Sequence, residues 1–196
     1  MLEREVGMWW MLVACGGPPA DAEILEGDVV FQDSRSAQSA WIKDATDSPW
    51  SHVGVVVELG DQRLVLEAVQ PVRLTPWDEW KARDDGVFGV RRVTGLNETD
   101  RAVLVAAGQK MLGRDYDPAF DWDDERLYCS ELVTKLFETV GVTLGRRERV
   151  DDFPLDVAQL GALQRRGIPL DRVVVTPASI WDDDDLQPIG QSGRPR

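Results

Sequence analysis

Histidine occurs once in this chain of 196 residues, at position 52, and cysteine only twice, at positions 15 and 129. So small a supply argues against a zinc site, which takes three or four His, Cys or carboxylate ligands. Two cysteines also cannot build a disulfide framework. Basic residues are outnumbered: 22 Lys and Arg against 35 Asp and Glu leave a formal net charge of −13. That balance argues against nucleic acid as the main partner, because phosphate binding needs basic patches. It also argues against attraction to an anionic membrane surface. No stretch after residue 20 is long and apolar enough to span a bilayer. What remains is ordinary for one folded domain, with 43% hydrophobic and 29% charged residues. Nothing in the sequence calls for a cofactor, and the oligomeric state is not encoded in any motif.

The N-terminus supports two readings. Residues 7–14, Gly-Met-Trp-Trp-Met-Leu-Val-Ala, form a short apolar run that ends at Cys15. Leu12-Val13-Ala14-Cys15 resembles the bacterial lipobox, whose cysteine is lipidated after the signal is cut. Gly16 to Ala20 would then be a flexible tether, residues 1–20 a lipoprotein signal, and the cell envelope the site of action. Against this, Met1-Leu2-Glu3-Arg4-Glu5 is not basic as a signal peptide's start should be. The second reading is a plain N-terminal tail on a cytoplasmic protein. Residues 21–181 are expected to form the single domain, and 182–196, opened by four aspartates, an acidic disordered tail.

Within the domain, Val29-Val30-Phe31 reads as a short strand and residues 36–45 as a short helix. Residues 51–57, Ser-His-Val-Gly-Val-Val-Val, are apolar and β-branched, the signature of a buried strand. Leu59-Gly60-Asp61-Gln62 is a hairpin turn, and residues 63–69 the returning strand. Thr75-Pro76 predicts a helix start with a hydroxyl cap and proline at its first position. Residues 87–93 form another strand, and Asn97 caps a helix that Gly113 stops. Cys129 heads a helix whose buried stripe is Leu132, Val133, Leu136, Phe137 and Val140. A last helix spans roughly residues 155–166, and Val173-Val174-Val175 is a strand or an extended tail. Antiparallel strands followed by helices predict an α+β domain.

The hairpin supports a geometric test. With Gly60-Asp61 as a two-residue loop, Leu59 pairs with Gln62 and Gly54 lies opposite Glu67. His52 then shares a face with Gly54, and Glu67 is its diagonal neighbour at about 7–8 Å between backbones. A carboxylate there would orient the imidazole. Cys129 at a helix N-terminus is placed for thiolate formation, which the helix dipole and a neighbouring imidazolium both favour. The three residues suit acyl transfer: Cys129 as nucleophile, His52 as base and Glu67 as orienter. The amides at the head of the Cys129 helix would hold the oxyanion.

Several segments together resemble a known family. They are residues 27–32 (Gly-Asp-Val-Val-Phe-Gln) with Ser34-Arg35-Ser36, then Ser51-His52-Val53-Gly54, Glu67-Ala68-Val69, residues 113–117, and residues 128–133 (Tyr-Cys-Ser-Glu-Leu-Val). In order and spacing they resemble the permuted papain-fold amidases of the YiiX/YaeF kind, relatives of the NlpC-type cell-wall peptidases. The resemblance implies a circularly permuted papain-like fold, an antiparallel sheet or partial barrel packed against helices, with histidine before cysteine. It implies Cys129, His52 and Glu67 as the catalytic set, and an amide, peptide or cell-wall substrate. Tyr116 and Tyr128 are candidates for the pocket or the oxyanion site, and Gln32 for a pocket donor. Trp50 and Trp122 flank the site segments. A thiol acyltransferase or lipid-directed enzyme on the same fold, and a non-catalytic binding module, are the rival readings.

Overall fold

In a computed structural model, residues 21–35 and 37–193 are described. Cys15 and the lipobox-like run lie outside them. In chain order the elements are β1 (Val29–Gln32), α1 (Ala37–Thr46), β2 (His52–Leu59), β3 (Gln62–Glu67), β4 (Arg73–Pro76), α2 (Trp77–Lys81), β5 (Phe88–Val93) and α3 (Glu98–Met111). There follow β6 (Asp115–Tyr116), β7 (Arg126–Leu127), α4 (Cys129–Glu138), β8 (Glu148–Arg149), α5 (Val157–Arg166), β9 (Val173–Val174), α6 (Pro177–Trp181) and β10 (Leu186–Ser192).

Six strands form one antiparallel sheet in the order β10-β5-β1-β2-β3-β4. Its central strands are apolar on both faces because both are covered. Val29, Phe31, Val53, Val55, Leu66 and Ala68 pack against Leu132, Val133, Leu136 and Phe137 of α4. Val30, Val56, Val65 and Val90 turn the other way, onto Trp77 and Trp80 of α2. The wide apolar face of α4 explains its place across the sheet, since a helix stripe must be buried to stabilise the fold.

The β2–β3 hairpin has the register that its sequence predicts: Leu59 faces Gln62 and Gly54 faces Glu67. Gly54 is required there by close approach. A Cβ at that position would lie 2.7 Å from Val65 Cγ1 and 2.8 Å from the Leu66 carbonyl oxygen.

Two expectations are corrected. Thr75 does not cap α2; the cap position is Pro76, and the Thr75 hydroxyl donates instead to Glu67 Oε1 at 2.6 Å. A capping hydroxyl would accept a helix N–H; here it donates to a buried carboxylate and accepts from Arg83 Nη2 at 3.3 Å, and a charged acceptor makes the stronger bond. Nor is residues 182–196 wholly a disordered tail. The aspartate run makes a turn in which Asp183 accepts the Gly145 and Asp185 amides, and β10 then pairs with β5, with Leu186 buried. Backbone pairing along an otherwise open sheet edge stabilises it, and Pro188 sits at the register shift that an edge strand tolerates.

Gly54→Ala should cost about 1–3 kcal/mol of stability through overpacking, read as a lower urea midpoint. An unchanged midpoint would mean that the hairpin does not need this close approach.

Candidate active site

The end of β2, the end of β3 and the start of α4 converge. His52 is the first residue of β2, so its ring stands at the end of the sheet, in reach of both neighbours. Its Nε2 lies 2.7 Å from Glu67 Oε2. Cys129, the first residue of α4, lines the same cleft as the imidazole, close enough for its sulfur to act on the ring's ionisation by hydrogen bond and charge. With Nε2 taken by Glu67, Nδ1 is the nitrogen left for the thiol. The diagonal relation read from the hairpin therefore brings His52 and Glu67 into contact, and the helix brings Cys129 to the ring's other side.

Glu67 has no exposed surface. Its carboxylate accepts Thr75 Oγ1–H on Oε1 and Trp80 Nε1–H on Oε2 (3.1 Å). Arg83 spans both oxygens, Nη1 at 3.0 Å from Oε2 and Nη2 at 2.9 Å from Oε1. A buried carboxylate without such partners would be strongly penalised. Burial does push Glu67 toward the neutral form, but the His52 hydrogen bond and charge, then Arg83 and Thr75, outweigh it and hold its pKa at about 2.

Burial also works against a charged His52. The hydrogen bonds to Cys129 and Glu67 and their negative charges prevail, raising the imidazole to about 10. Burial likewise pushes the Cys129 thiol up; the His52 hydrogen bond and charge, then the Val53 N–H, bring it below the ordinary thiol value. Thiolate and imidazolium thus stabilise one another over a wide pH range. The stabilising contribution of Glu67 is whole above 4.5 and is lost as pH falls through about 2. That of His52 is whole below 6.5 and is lost as pH rises through about 10.

Two hollows meet at Cys129. One is a polar cleft of about 340 Å³, whose lining includes His52, Gln32, Ser51, Arg83, Asp84 and Tyr116. The other, about 40 Å³, is almost wholly apolar, with Trp41, Ile42, Phe120, Phe153, Val174 and Val175 in its wall. The opening amides of α4 lack intrahelical acceptors, as at any helix start, and Cys129 itself lines both hollows.

The other sequence candidates are placed as follows. Tyr116 lines the polar cleft, its strand held by Gln70, which accepts the Tyr116 amide at 2.7 Å. Gln32 also lines the cleft, but its Nε2 donates to the Trp80 carbonyl at 2.6 Å. The Tyr128 ring packs edge-on against Phe120, its hydroxyl accepts the Val175 amide, and burial raises its pKa. Trp50 is core, packed on Phe31 and Trp181, and Trp122 carries the cations of Lys135 and Arg147. Neither lines the cleft. Sequence reasoning missed Thr75, Trp80 and Arg83 as partners of Glu67. The signal for Thr75 was the β3–β4 register, which sets it opposite Val65 and so diagonal to Glu67; Trp80 and Arg83 come from a helix and a loop and left none.

A family model described as permuted papain-like amidase enzyme, YaeF/YiiX, C92 family, matches residues 23–190. The chain belongs to this family. Among its YaeF/YiiX relatives is the YiiX protein of Escherichia coli (strain K12), 36% identical over 172 residues, covering 84% of this chain and 85% of that one. The crystal structure of yiiX from Escherichia coli O157:H7 superposes with a TM-score of 0.83 at 36% identity, over 88% of this chain and 99% of that one. Permuted papain-like topology, with an antiparallel sheet packed against helices, is thus the fold, and amidase or peptidase is the family's activity.

The O157:H7 protein is described as a metalloprotein. In this C92 member no three His, Cys, Asp or Glu side chains converge as a metal-holding group among the described residues. At the cleft, His52 Nε2 and both Glu67 oxygens already engage one another, Thr75, Trp80 and Arg83, so the donor set does not fit a bound metal.

Alkylation of Cys129 by iodoacetamide, followed by peptide mass mapping, should hold its plateau rate well below pH 8, whereas a free thiol of pKa about 8.5 slows about tenfold per unit there. In His52→Asn the inflection should move up, because burial is then opposed only by the smaller effects of the Val53 and Ser130 hydrogen bonds. A wild-type profile that tracks free cysteine would contradict the ion pair.

Proposed function

We propose that this chain is a cysteine amidase whose nucleophile, acid–base and orienting groups are Cys129, His52 and Glu67. The observation that carries the reading is the double engagement of one imidazole, with Glu67 on Nε2 and the Cys129 thiol on its other side. Cys129 Sγ⁻ attacks the amide carbonyl carbon. The oxygen takes up the electron pair and is met by the opening amides of α4. His52 gives its Nδ1 proton to the nitrogen, the C–N bond breaks, and the amine leaves a thioester on Cys129. Neutral His52 then takes a proton from water, whose hydroxide attacks the thioester. The carboxylic acid departs, and thiolate and imidazolium are restored. Glu67, locked by Thr75, Trp80 and Arg83, keeps the ring oriented and stabilises its positive form.

The substrates in view are small amides, peptides or cell-wall fragments, with the lipobox-like Cys15 as the argument for an envelope location. A second reading, cleavage or transfer of a lipid acyl group, is favoured by the apolar hollow at Cys129. At about 40 Å³ it holds only the first carbons of an acyl chain whose carbonyl sits at the sulfur, and a longer chain would have to widen it. Water or a second acceptor would then complete the same acyl-enzyme.

Incubation with peptidoglycan fragments and with medium-chain fatty-acyl amides, followed by intact-protein mass spectrometry, tests both. The expected result is an acyl adduct on Cys129 and a free acid, with turnover falling at least about 10⁴-fold in Cys129→Ala. Absence of any adduct from either class would contradict the amidase reading.

A further inference from the structure

The charges that line the polar cleft do not balance. Cys129 and His52 face one another, and Arg83 is spent on both oxygens of Glu67. These four cancel. Asp84 is left over. Its side chain lines the cleft beside His52 and Arg83, half-buried, and its one recorded partner is the Arg35 backbone N–H, at 3.2 Å from Oδ1. Among the described residues no Lys or Arg forms an ion pair with it; the Arg35 guanidinium goes to Asp85 instead.

The backbone holds Asp84 there against its own preference. Asp84, Asp85 and Gly86 follow one another with φ of 49°, 69° and 70°. Three consecutive left-handed residues are uncommon, and strain of this kind gathers where function fixes a loop. The turn closes by the Gly86 N–H donating to the Arg83 carbonyl at 2.8 Å. It sends the Arg83 side chain to Glu67 while Asp84 lines the cleft.

The geometry points to Asp84 as a specificity-determining carboxylate that receives a cationic ammonium group of the substrate, on the His52 side of Cys129. The side follows from the chemistry proposed above, on which this part rests. His52 hands its proton to the departing nitrogen, so the amine half of the substrate lies in the hollow that contains His52. The apolar hollow has no histidine and takes the acyl half. The preferred leaving group is then an amine bearing a second, positively charged nitrogen. A half-buried, unpaired carboxylate is a strong site for one, since water screens it less than a surface charge.

The test has two arms. In the first, Cys129 is modified with methanethiosulfonates carrying an ethylammonium or an ethylsulfonate group, and the cation-to-anion rate ratio is read at the Cys129 peptide. Asp84→Asn is the variant: its amide oxygen can still accept the Arg35 N–H, and asparagine tolerates the left-handed backbone. Asp61→Asn, at the exposed hairpin tip, makes the same change in net charge far from the cleft. The ratio should fall by about tenfold in Asp84→Asn, the scale of one weakly screened charge, and hold in Asp61→Asn. An equal ratio in wild type and both variants overturns the inference, and a wild-type preference for the sulfonate would assign the cleft to Arg83 instead.

In the second arm, decanoyl amides of 1,5-diaminopentane and of pentylamine are compared. Wild type should favour the diamine in kcat/KM, and Asp84→Asn should lose that preference. Should neither amide be cleaved while the reagent ratio still drops in Asp84→Asn, the cation site stands and the amidase reading fails. Equal cleavage of both amides with an unchanged ratio leaves the amidase and removes the cation site.

Discussion

A carboxylate with no exposed surface organises the site. Glu67 sits at the end of β3 with a hydroxyl, an indole N–H and a guanidinium on its oxygens, the His52 ring against Oε2 and the Arg73 guanidinium 3.9 Å from Oε1. Each hydrogen-bonding partner comes from a different element: Thr75 from β4, Trp80 from α2, Arg83 from the loop after it, His52 from β2. A buried charge is tolerated only when fully satisfied. These elements are therefore tied to one another through a single group, and any that moved away would leave the charge exposed to an apolar interior. Orientation of the imidazole and integrity of this corner of the fold are one property.

The second constraint is the reach of α4 across the sheet. Its apolar face packs on Val53 and Val55, and this packing sets Cys129 beside the start of β2. The helix contributes three effects at once: burial energy, the positive end of its dipole near the sulfur, and open amides at the same spot. The thiol's placement is thus a consequence of the core, and its ionisation is set by His52 against the penalty of burial. The two hollows on either side of the sulfur, one polar and one apolar, divide the space in which a substrate would lie.

What was legible in the sequence was what is local or periodic. The Gly60-Asp61 turn fixed the β2–β3 register, and with it the pairing of Gly54 with Glu67, because side-chain period two leaves no freedom once a hairpin is set. The α4 stripe was legible because helical spacing marks four fully buried residues in a row of turns. Thr75 was misread because a hydroxyl before a proline looks like a cap, and only the β3–β4 register reveals the buried acceptor that claims it. The strand β10 was missed because Leu186 alone of its residues is fully buried and its acidic, Gly- and Pro-bearing surroundings resemble a tail; backbone pairing with β5 leaves no side-chain pattern. Arg83 and Asp84 sit on a turn whose left-handed backbone has no signature in residue types alone.

The most direct measurement follows from His52 being the only histidine in the chain. A pH titration of its ring resonance by NMR reports one group without overlap. The account predicts a midpoint near 10, where an isolated imidazole would titrate at 6.5, and a fall in that midpoint in both Cys129→Ser and Glu67→Gln. A midpoint near 6.5, unmoved by either substitution, would contradict the linkage of thiolate, imidazolium and buried carboxylate.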